Sequence, residues 1–550
     1  MDEFTSIYDE YLKGSKLGKN HTAIYYQGNK ISFKKLNKLI NKYSAILQNK
    51  LNIKKDDVVI IALPNIPDCI ILFLALNRIG AVCNMIHPYT PFNQFKEIMN
   101  NTKAKYAFVF EQRVAKEVDK YKDIVDKVYV SRVEDYLPLF KKIFYHCFMN
   151  FRIRNKLGKQ WRFKGFSYVY KLNIFRKKVL EIKKKRDELS VLLHSGSTTG
   201  DPKTICLSNY NFNFLSKHAL EYLCVDQKEV IGKGMLSALP SFHGFGLEWT
   251  MLAPLCNGFG SLLVTKFSAE SVVDVLKHNK VIAMCGVPTM FETLLKNEKF
   301  KTCSQLKYLQ VAFCGGDSLP SSVENDFNDV LKNNNSTGRI FEGYGLTESI
   351  AAFVVNTKAH YCKGSLGYPG SGVEMGIFDE NKNLINTPNV LGEIGVKSPS
   401  NMIGYFKDEK ASEACMKDGY ILSGDLGYIN EDGFLFFKQR IKRVIKVSGV
   451  GVFPSEVEKL VCSISGVDNA CAIRIPDKKL QSALKLFVVT KAFDKEDMRQ
   501  KIMDTCRKYL IRWSVPKEIE FRDNLPLTMI GKVDFKTLQK EEDEKRKEDN

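Results

Sequence analysis

A strand–helix–strand unit early in the chain constrains the fold more than any other feature. Residues 57–63 (Asp-Val-Val-Ile-Ile-Ala-Leu) read as a strand, and Pro64 and Pro67 turn the chain. Residues 69–79 are apolar on nearly all sides, the pattern of a buried helix, and Ala81, Val82 and Cys83 begin another strand. Upstream, Leu36, Leu39, Ile40, Tyr43 and Leu47 form a helical stripe behind Ile31, Ser32 and Phe33. Alternation of this kind implies a mostly parallel sheet covered on both faces. The same region is the most apolar of the chain, yet Asn65, Asp68, Asn77 and Arg78 interrupt it, so it does not read as a membrane span. At 550 residues the chain is too long for one core, and two or more domains are expected.

The second informative stretch is an apolar run (Leu189, Val191, Leu192, Leu193) that opens into Ser195, Gly196, Ser197, Thr198, Thr199, Gly200, Asp201, Pro202, Lys203 and Thr204. The run reads as a strand after which the chain turns back. Backbone N–H groups between glycines, hydroxyls and a lysine make a cradle for phosphate oxygens. A flexible Ser/Thr/Gly surface loop has the same composition. It is not a Walker A loop, because Gly196 and Gly200 are too close together and no Gly-Lys-Ser/Thr follows. Phe212, Leu215, Ala219 and Tyr222 have helical spacing, and a helix starting just past the loop would add a dipole favourable to phosphate.

Further along, Gly315 and Gly316 follow an apolar strand, and a double glycine lets a flat ring approach the backbone. Tyr344 stands between Gly343 and Gly345, where it can lie against an adenine face. Thr347 can hydrogen-bond a phosphate and Glu348 is a hard oxygen ligand suited to Mg²⁺; a tight turn with a capping Thr-x-Ser reads the same. Asp425 is presented in a glycine-flanked turn, and a carboxylate accepts two vicinal hydroxyls well. The basic run at 438–446 leaves an exposed strand edge as the plain reading of Lys438 and Arg443. Pro454 suits the first turn of a helix, and residues 459–540 carry enough strand and helix signals for a small α+β domain. Residues 541–550 are charged and expected to fray.

Taken in order, the elements at 195–203, 344–348, 423–428, 438–446 and 525–534 resemble those of the class I adenylate-forming enzymes: acyl-CoA synthetases, adenylation domains and luciferases. The resemblance reaches upstream, more weakly, to about residue 30. It implies an α/β chain with a large multi-layer N-terminal domain of mostly parallel sheets (1–439). A small mobile α+β lid (440–540) and the charged tail (541–550) follow. It implies an AMP-forming acyl-CoA synthetase that uses ATP, Mg²⁺ and coenzyme A on a carboxylic, expectedly fatty, acid. By the same resemblance, Ser195, Gly196, Ser197, Thr198, Thr199, Gly200 and Lys203 hold ATP phosphates, with Gly315, Gly316 and Tyr344 at the adenine. Asp425 and Arg440 serve the ribose, and Phe242 and His243 line the acyl pocket. Thr347, Glu348 (the Mg²⁺ ligand) and Lys532 are catalytic, Lys442 is the hinge, and Gly449 and Gly451 face the thiol channel. Two alternatives stay open: a ligase that loads a carrier protein's phosphopantetheine thiol, and a catalytically silent relative that only binds nucleotide or lipid. Three positions depart from the family pattern: Ser197, Thr204 and Gln439 stand where glycines are usual. None removes a charge.

The net charge of +20 is local. Residues 139–186 hold sixteen Lys or Arg and one acid, Glu181, so this stretch supplies +15 of it. Phe140, Phe144, Phe148 and Phe151 recur there at helical spacing with Ile143 and Cys147 beside them. Trp161, Phe163, Phe166, Tyr168 and Tyr170 are interleaved with Arg162, Lys164 and Lys171. Rings and cations together suit an anionic membrane surface; a solvated insertion whose rings pack on the domain fits as well. Nucleic acid rests on charge alone. The start of the chain is acidic and lacks a signal-peptide pattern. Fourteen scattered cysteines without a Cys-x-x-Cys pair argue against zinc or a disulfide framework. A cytoplasmic protein, peripheral on the inner membrane surface, is the expectation.

Overall fold

The computed structural model describes residues 3–145, 147, 167–168, 178–195, 203–477, 479–527 and 533–548. The chain divides into two compact units, Met1–Glu374 with Lys397–Ile421, and Met375–Val396 with Leu422–Asn550. The domain boundary expected at 439/440 is kept as a proposal, a lid that begins at residue 440 and turns about Lys442.

The first unit contains two large sheets. In one, the strand Val58–Ala62 lies parallel to Val82–Met85 on one side and Tyr106–Phe110 on the other, in register Val59↔Cys83 and Ile60↔Ala107. Leu189–His194 runs parallel to Val82–Met85, and Thr204–Ser208 and Gly404–Tyr405 extend that edge antiparallel. The other sheet sets Gly260–Leu263, Gly234–Ser237, Val281–Gly286, Val311–Cys314 and Arg339–Gly345 side by side in parallel. The helix Pro67–Arg78, with Pro67 at its first position, is buried from Pro67 through Asn77. No polar face is available to it, which is why the sequence there lacks amphipathic periodicity.

The loop at 195–203 joins two antiparallel strands, Leu189–His194 and Thr204–Ser208, so the chain does turn back as expected. The expected helix is present, but it does not start just past the loop: a strand intervenes. Asn209–Leu223 starts only past Thr204–Ser208, with Ser208 capping it by accepting from Asn211 N, so its positive end is a full strand away from the loop. The reason is the Thr-Ile-Cys-Leu-Ser run, whose buried Ile205 and Leu207 alternate as a strand requires.

In the second unit, residues 425–429 of the strand Tyr420–Ile429 pair antiparallel with Leu435–Arg440. A three-stranded sheet follows, with Val467–Asp477 and Gln481–Thr490 antiparallel and Glu518–Phe521 parallel to the latter. Helices Pro454–Cys462 and Lys495–Tyr509 bury Val457, Val461, Ile502 and Cys506 against one face of it, with Leu484, Leu486 and Val488. The expected fraying after residue 540 is a second correction. Phe535–Glu548 is helical, and Leu538 is fully buried against Cys471 and Phe487. Lys485, itself buried, lies 2.7 Å from Glu542 and 2.8 Å from Glu520, and Arg546 pairs with Glu518 and Glu542. Composition alone reads this segment as solvated, because the buried partner of Glu542 lies far back in the sequence, on a strand.

Candidate active site

The site grows from the carboxyl ends of parallel strands, where open α/β sheets bind ligands. Val311–Cys314 ends in Gly315 and Gly316, and its neighbour Arg339–Gly345 ends in Tyr344 and Gly345, with Cys314 opposite Glu342. Gly315 is buried; a Cβ there would sit 3.3 Å from the Gly343 carbonyl oxygen and 3.3 Å from the Phe245 ring. Gly316 has φ +82, a left-handed conformation that glycine adopts without strain. Tyr344 meets Phe353 edge-on at 5.9 Å. The two expected adenine elements therefore stand side by side.

Beyond Tyr344 the chain makes a single turn, Thr347–Ser349, then a γ-turn at Ile350 (φ +69, ψ −58) closed by Ala351 N donating to Ser349 O at 2.8 Å. A β-branched residue at positive φ is strained, and such strain collects at functional sites. Gly244 makes room for it: a Cβ on Gly244 would lie 1.8 Å from the Ile350 carbonyl oxygen. The Phe242-His243-Gly244 element is thereby packed against Ile350, directly after the Thr347–Ser349 turn. Phe242 in turn meets His87 edge-on at 4.6 Å and His243 at 4.7 Å. Burial holds the His87 imidazole below its ordinary pKa.

Glu348 is the centre of the polar side of the site. Its carbonyl accepts from Met402 N at 2.7 Å, and its Oε1 accepts from the Tyr405 hydroxyl at 2.9 Å. The ammonium of Lys203 lies 4.3 Å from the centre of the Tyr405 ring. Lys203 also closes the base of its loop: Ser195 N donates to Lys203 O at 2.9 Å and Lys203 N donates to Ser195 Oγ at 3.0 Å. One step further, Thr204 Oγ1 is 3.2 Å from His194 Nδ1, and His194 Nε2 is 2.7 Å from Asn84 Oδ1. Burial lowers His194 to about 4, so the ring is neutral at pH 7 and can donate on one nitrogen and accept on the other. The hydroxyl at Thr204, one of the three departures, thus has a partner. Gly196, Ser197, Thr198, Thr199 and Gly200 lie outside the described residues.

In the second unit Asp425 and Arg440 are cross-strand partners, with Arg440 Nε 3.3 Å from Asp425 Oδ1 and the Asp425 side chain 2% exposed. The expected glycine-flanked turn is corrected here. Asp425 lies within the strand Tyr420–Ile429, where Gly424 takes φ +72 and the pairing slips after Leu426. A glycine in a strand marks such an irregularity as readily as a turn. Ser423 and Glu393 accept from the N–H groups of Asp425 and Gly424 and fix the carboxylate's approach. Lys442 is exposed in the turn Ile441–Arg443. Gly449 and Gly451 belong to a hairpin, Ile445–Val447 with Val450–Val452, whose two turn residues Ser448 and Gly449 both have positive φ. Lys532 lies outside the described residues; on its flanks Leu527 bridges Val533 and Asp534 N donates to Pro526 O at 2.8 Å.

Among the described residues no cluster of three or more His, Cys, Asp or Glu could hold a metal. A lone Glu348 carboxylate suits Mg²⁺ carried in on substrate phosphates, which needs only one or two protein carboxylates. A cavity of about 530 Å³ lined by Arg339, Phe341 and Tyr361 is not part of this site, because it opens at the start of the Arg339–Gly345 strand. Sequence reasoning assigned no role to Tyr405, His87 or His194. For Tyr405 a signal existed, since Met402, Ile403, Gly404 and Tyr405 fall in family order after Gly392, Glu393, Ile394 and Gly395.

Two largely parallel sheets with these strand ends, and a second unit in which an exposed Arg440 faces a buried Asp425, have the architecture of the adenylate-forming class of fold. The AMP-binding enzyme profile matches residues 14–406 and its C-terminal domain profile residues 456–532, and the chain belongs to this family. The long-chain-fatty-acid–CoA ligase of Haemophilus influenzae is 30% identical over 560 residues, covering 99% of this chain and 96% of its own length. The ligase of the same name from Bacillus subtilis is 28% identical over 95% of this chain and 92% of its own. Among solved structures, ATP-bound MatB from Rhodopseudomonas palustris superposes with TM-score 0.81 at 19% identity, covering 98% of this chain and 99% of that one. The o-succinylbenzoate–CoA synthetase MenE of Bacillus subtilis, with ATP and magnesium ion, gives TM-score 0.79 at 20% identity, covering 98% and 100%. At these identities the structures bear on the fold.

Proposed function

We propose that the chain is an AMP-forming acyl-CoA synthetase acting on long-chain fatty acids. The observation that carries the reading is the meeting of Lys203 and Glu348 on one side chain at the strand ends, in a chain that aligns end to end with fatty-acid–CoA ligases. A fatty carboxylate attacks the α-phosphate of ATP, so negative charge builds between two anions and must be neutralised. Lys203 and the amides of its loop hold the β- and γ-phosphates. Glu348 is the residue for Mg²⁺, which neutralises charge across phosphate oxygens when bound. Asp425 accepts the ribose hydroxyls, with Arg440 fixing its carboxylate. Lys532 bridges the carboxylate and the α-phosphate. Pyrophosphate leaves and the acyl-adenylate remains. The lid then pivots at Lys442, withdraws Lys532 and brings the Gly449–Gly451 hairpin to the incoming thiol of CoA. That thiol attacks the acyl carbonyl and expels AMP.

The exposed face of the helix Leu139–Phe144 supports a membrane-surface role for the basic insertion. Leu139 is 75% exposed, Phe140 82%, Ile143 56% and Phe144 57%, with Lys141 and Lys142 between them. Trp161, Phe163 and most of the interleaved aromatics lie outside the described residues. No helix among the described residues is long and apolar enough to cross a membrane.

Pyrophosphate exchange with acids from acetate to palmitate tests the activity. Exchange with long-chain acids, and thioester only when CoA is added, is the expected result. No exchange with any acid rejects the synthetase, and exchange without transfer to CoA points to a carrier-protein thiol. Lys532→Ala should abolish exchange and still convert supplied acyl-adenylate with CoA; equal loss of both steps removes the role given to Lys532.

A further inference from the structure

Tyr405 occupies a position that neither the phosphate loop nor the Thr347–Glu348 element explains by itself. It ends the short strand Gly404–Tyr405, which pairs antiparallel with Thr204–Ser208 in register Ile205↔Tyr405. The pairing is held on both sides, by Ile403 N donating to Cys206 O at 2.9 Å and Phe406 N donating to Thr204 O at 2.8 Å. Two residues upstream of the strand, Met402 N donates to Glu348 O. The segment 402–406 is therefore a strap between the end of the phosphate loop and the Glu348 turn. Tyr405 N donates to Ser412 Oγ at 2.8 Å, which fixes the backbone from which the side chain leaves.

The side chain then meets both charges with different parts. Its ring face lies under the Lys203 ammonium and its hydroxyl donates to Glu348. The electron-rich face of a phenol attracts a cation, and its edge-borne hydroxyl donates to an anion, so one tyrosine can hold opposite charges apart. This matters because Lys203 and Glu348 attract each other. Collapsed into a direct ion pair they would be less available to phosphate and to Mg²⁺.

We propose that Tyr405 is a positioning residue of the adenylation step: its ring seats Lys203 for the ATP phosphates and its hydroxyl orients the Glu348 carboxylate towards Mg²⁺. The inference rests on the reading of Lys203 and Glu348 as the phosphate and Mg²⁺ residues. Outer partners of metal-ligating carboxylates typically contribute 10–100-fold to affinity, and a cation–π contact about 0.5–2 kcal/mol.

The test is ATP binding to the full chain by titration calorimetry, in excess Mg²⁺ and in excess EDTA. Tyr405→Phe keeps the ring and loses the hydroxyl, so ATP affinity in EDTA should stay within about twofold while the gain on adding Mg²⁺ falls roughly tenfold. Tyr405→Leu loses both and should also weaken ATP in EDTA by about 3- to 30-fold. Glu348→Gln and Lys203→Ala serve as controls. If Glu348→Gln loses the Mg²⁺ gain and Tyr405→Phe retains all of it, the inference is overturned while the site stands. If neither control changes ATP binding, the reading of Lys203 and Glu348 fails and the inference falls with it. A purely structural Tyr405 would lower the unfolding midpoint of both variants and leave the ratio of the two affinities unmoved.

Discussion

His194 shows how a residue with no chemistry of its own supports the site. It sits at the end of the strand that opens into the phosphate loop, bonded to Asn84 on one side and Thr204 on the other. Burial lowers its folded pKa to about 4, against about 6.5 in the unfolded chain. The unfolded state therefore binds the extra proton across that interval, so stability is lost as pH falls from about 6.5 to about 4 and no further below it. The contribution at stake is on the order of 3 kcal/mol. His194→Gln should lose about 2 kcal/mol less than the parent between pH 7 and pH 4.5 in denaturant unfolding. Parallel curves for the two proteins would show that the ring is not held neutral. Thr204 illustrates what a sequence reading can and cannot give at this scale. Its departure from glycine was visible; its partner was not, because His194 faces it only once the two strands pair. Lys203 and Glu348 stand out in the sequence as charges at motif positions, and their roles remain the proposal made from those motifs. Tyr405 lies in a segment that follows the family order, but its contact with both charges is not legible, since a tyrosine after a glycine reads equally as packing.

At the scale of elements, Gln439 is the informative departure. It is buried, and its Oε1 accepts from Ser455 N at 2.9 Å in the first turn of Pro454–Cys462. The N-cap of that helix, Phe453, supplies no side-chain acceptor, so Gln439 does the capping from another strand. Ser455 Oγ donates to Lys438 O at 2.8 Å, and Lys438 pairs with Glu456. The plain reading of Lys438 as an exposed strand edge is thereby replaced by an ion pair to the helix. Arg443, the other residue so read, binds Glu458. Lys442 lies between Gln439 and Ser455 in sequence, so a pivot there must break these contacts. Loss of a cap costs about 1 kcal/mol, which is about fivefold in a rate when one conformer alone carries it. Gln439→Gly should change the ratio of adenylate formation to thioester formation by about fivefold, measured as separate half-reactions in single-turnover experiments. If both half-reactions scale together, Gln439 is only a helix cap. The alternation of strands and helices that sets the first unit was readable from residues 57–83, because buried parallel strands leave continuous apolar runs. The helix after residue 540 was not, because its anchor Lys485 is remote in sequence.

At the scale of the molecule, charge is unevenly spread, and the place where it gathers also exposes apolar side chains. Residues 139–186 carry +15 of a net +20. The helix Leu139–Phe144 is tied down at its base, where Lys141 donates to Gln27 O at 3.0 Å and Tyr145 to Glu111 at 3.0 Å. Its four large apolar side chains nonetheless stay exposed, which is costly in water. A lysine-flanked apolar face complements an anionic lipid surface. Burying such side chains contributes about 1.5–3 kcal/mol each when complete, and each cation near an anionic surface about 1 kcal/mol. A fatty-acid substrate partitions into the same phase, so a synthetase docked there draws on the membrane's own pool. Replacing Leu139, Phe140, Ile143 and Phe144 with serine should lower partitioning onto vesicles containing anionic lipid by at least about tenfold in co-sedimentation. Raising the salt should weaken the parent's binding as well, since part of the attraction is screened. Pyrophosphate exchange with a soluble medium-chain acid should be unchanged in the variant, because none of these four side chains belongs to the adenylation site. Equal partitioning of parent and variant would reduce this face to a solvated insertion and leave the excess charge without a lipid partner.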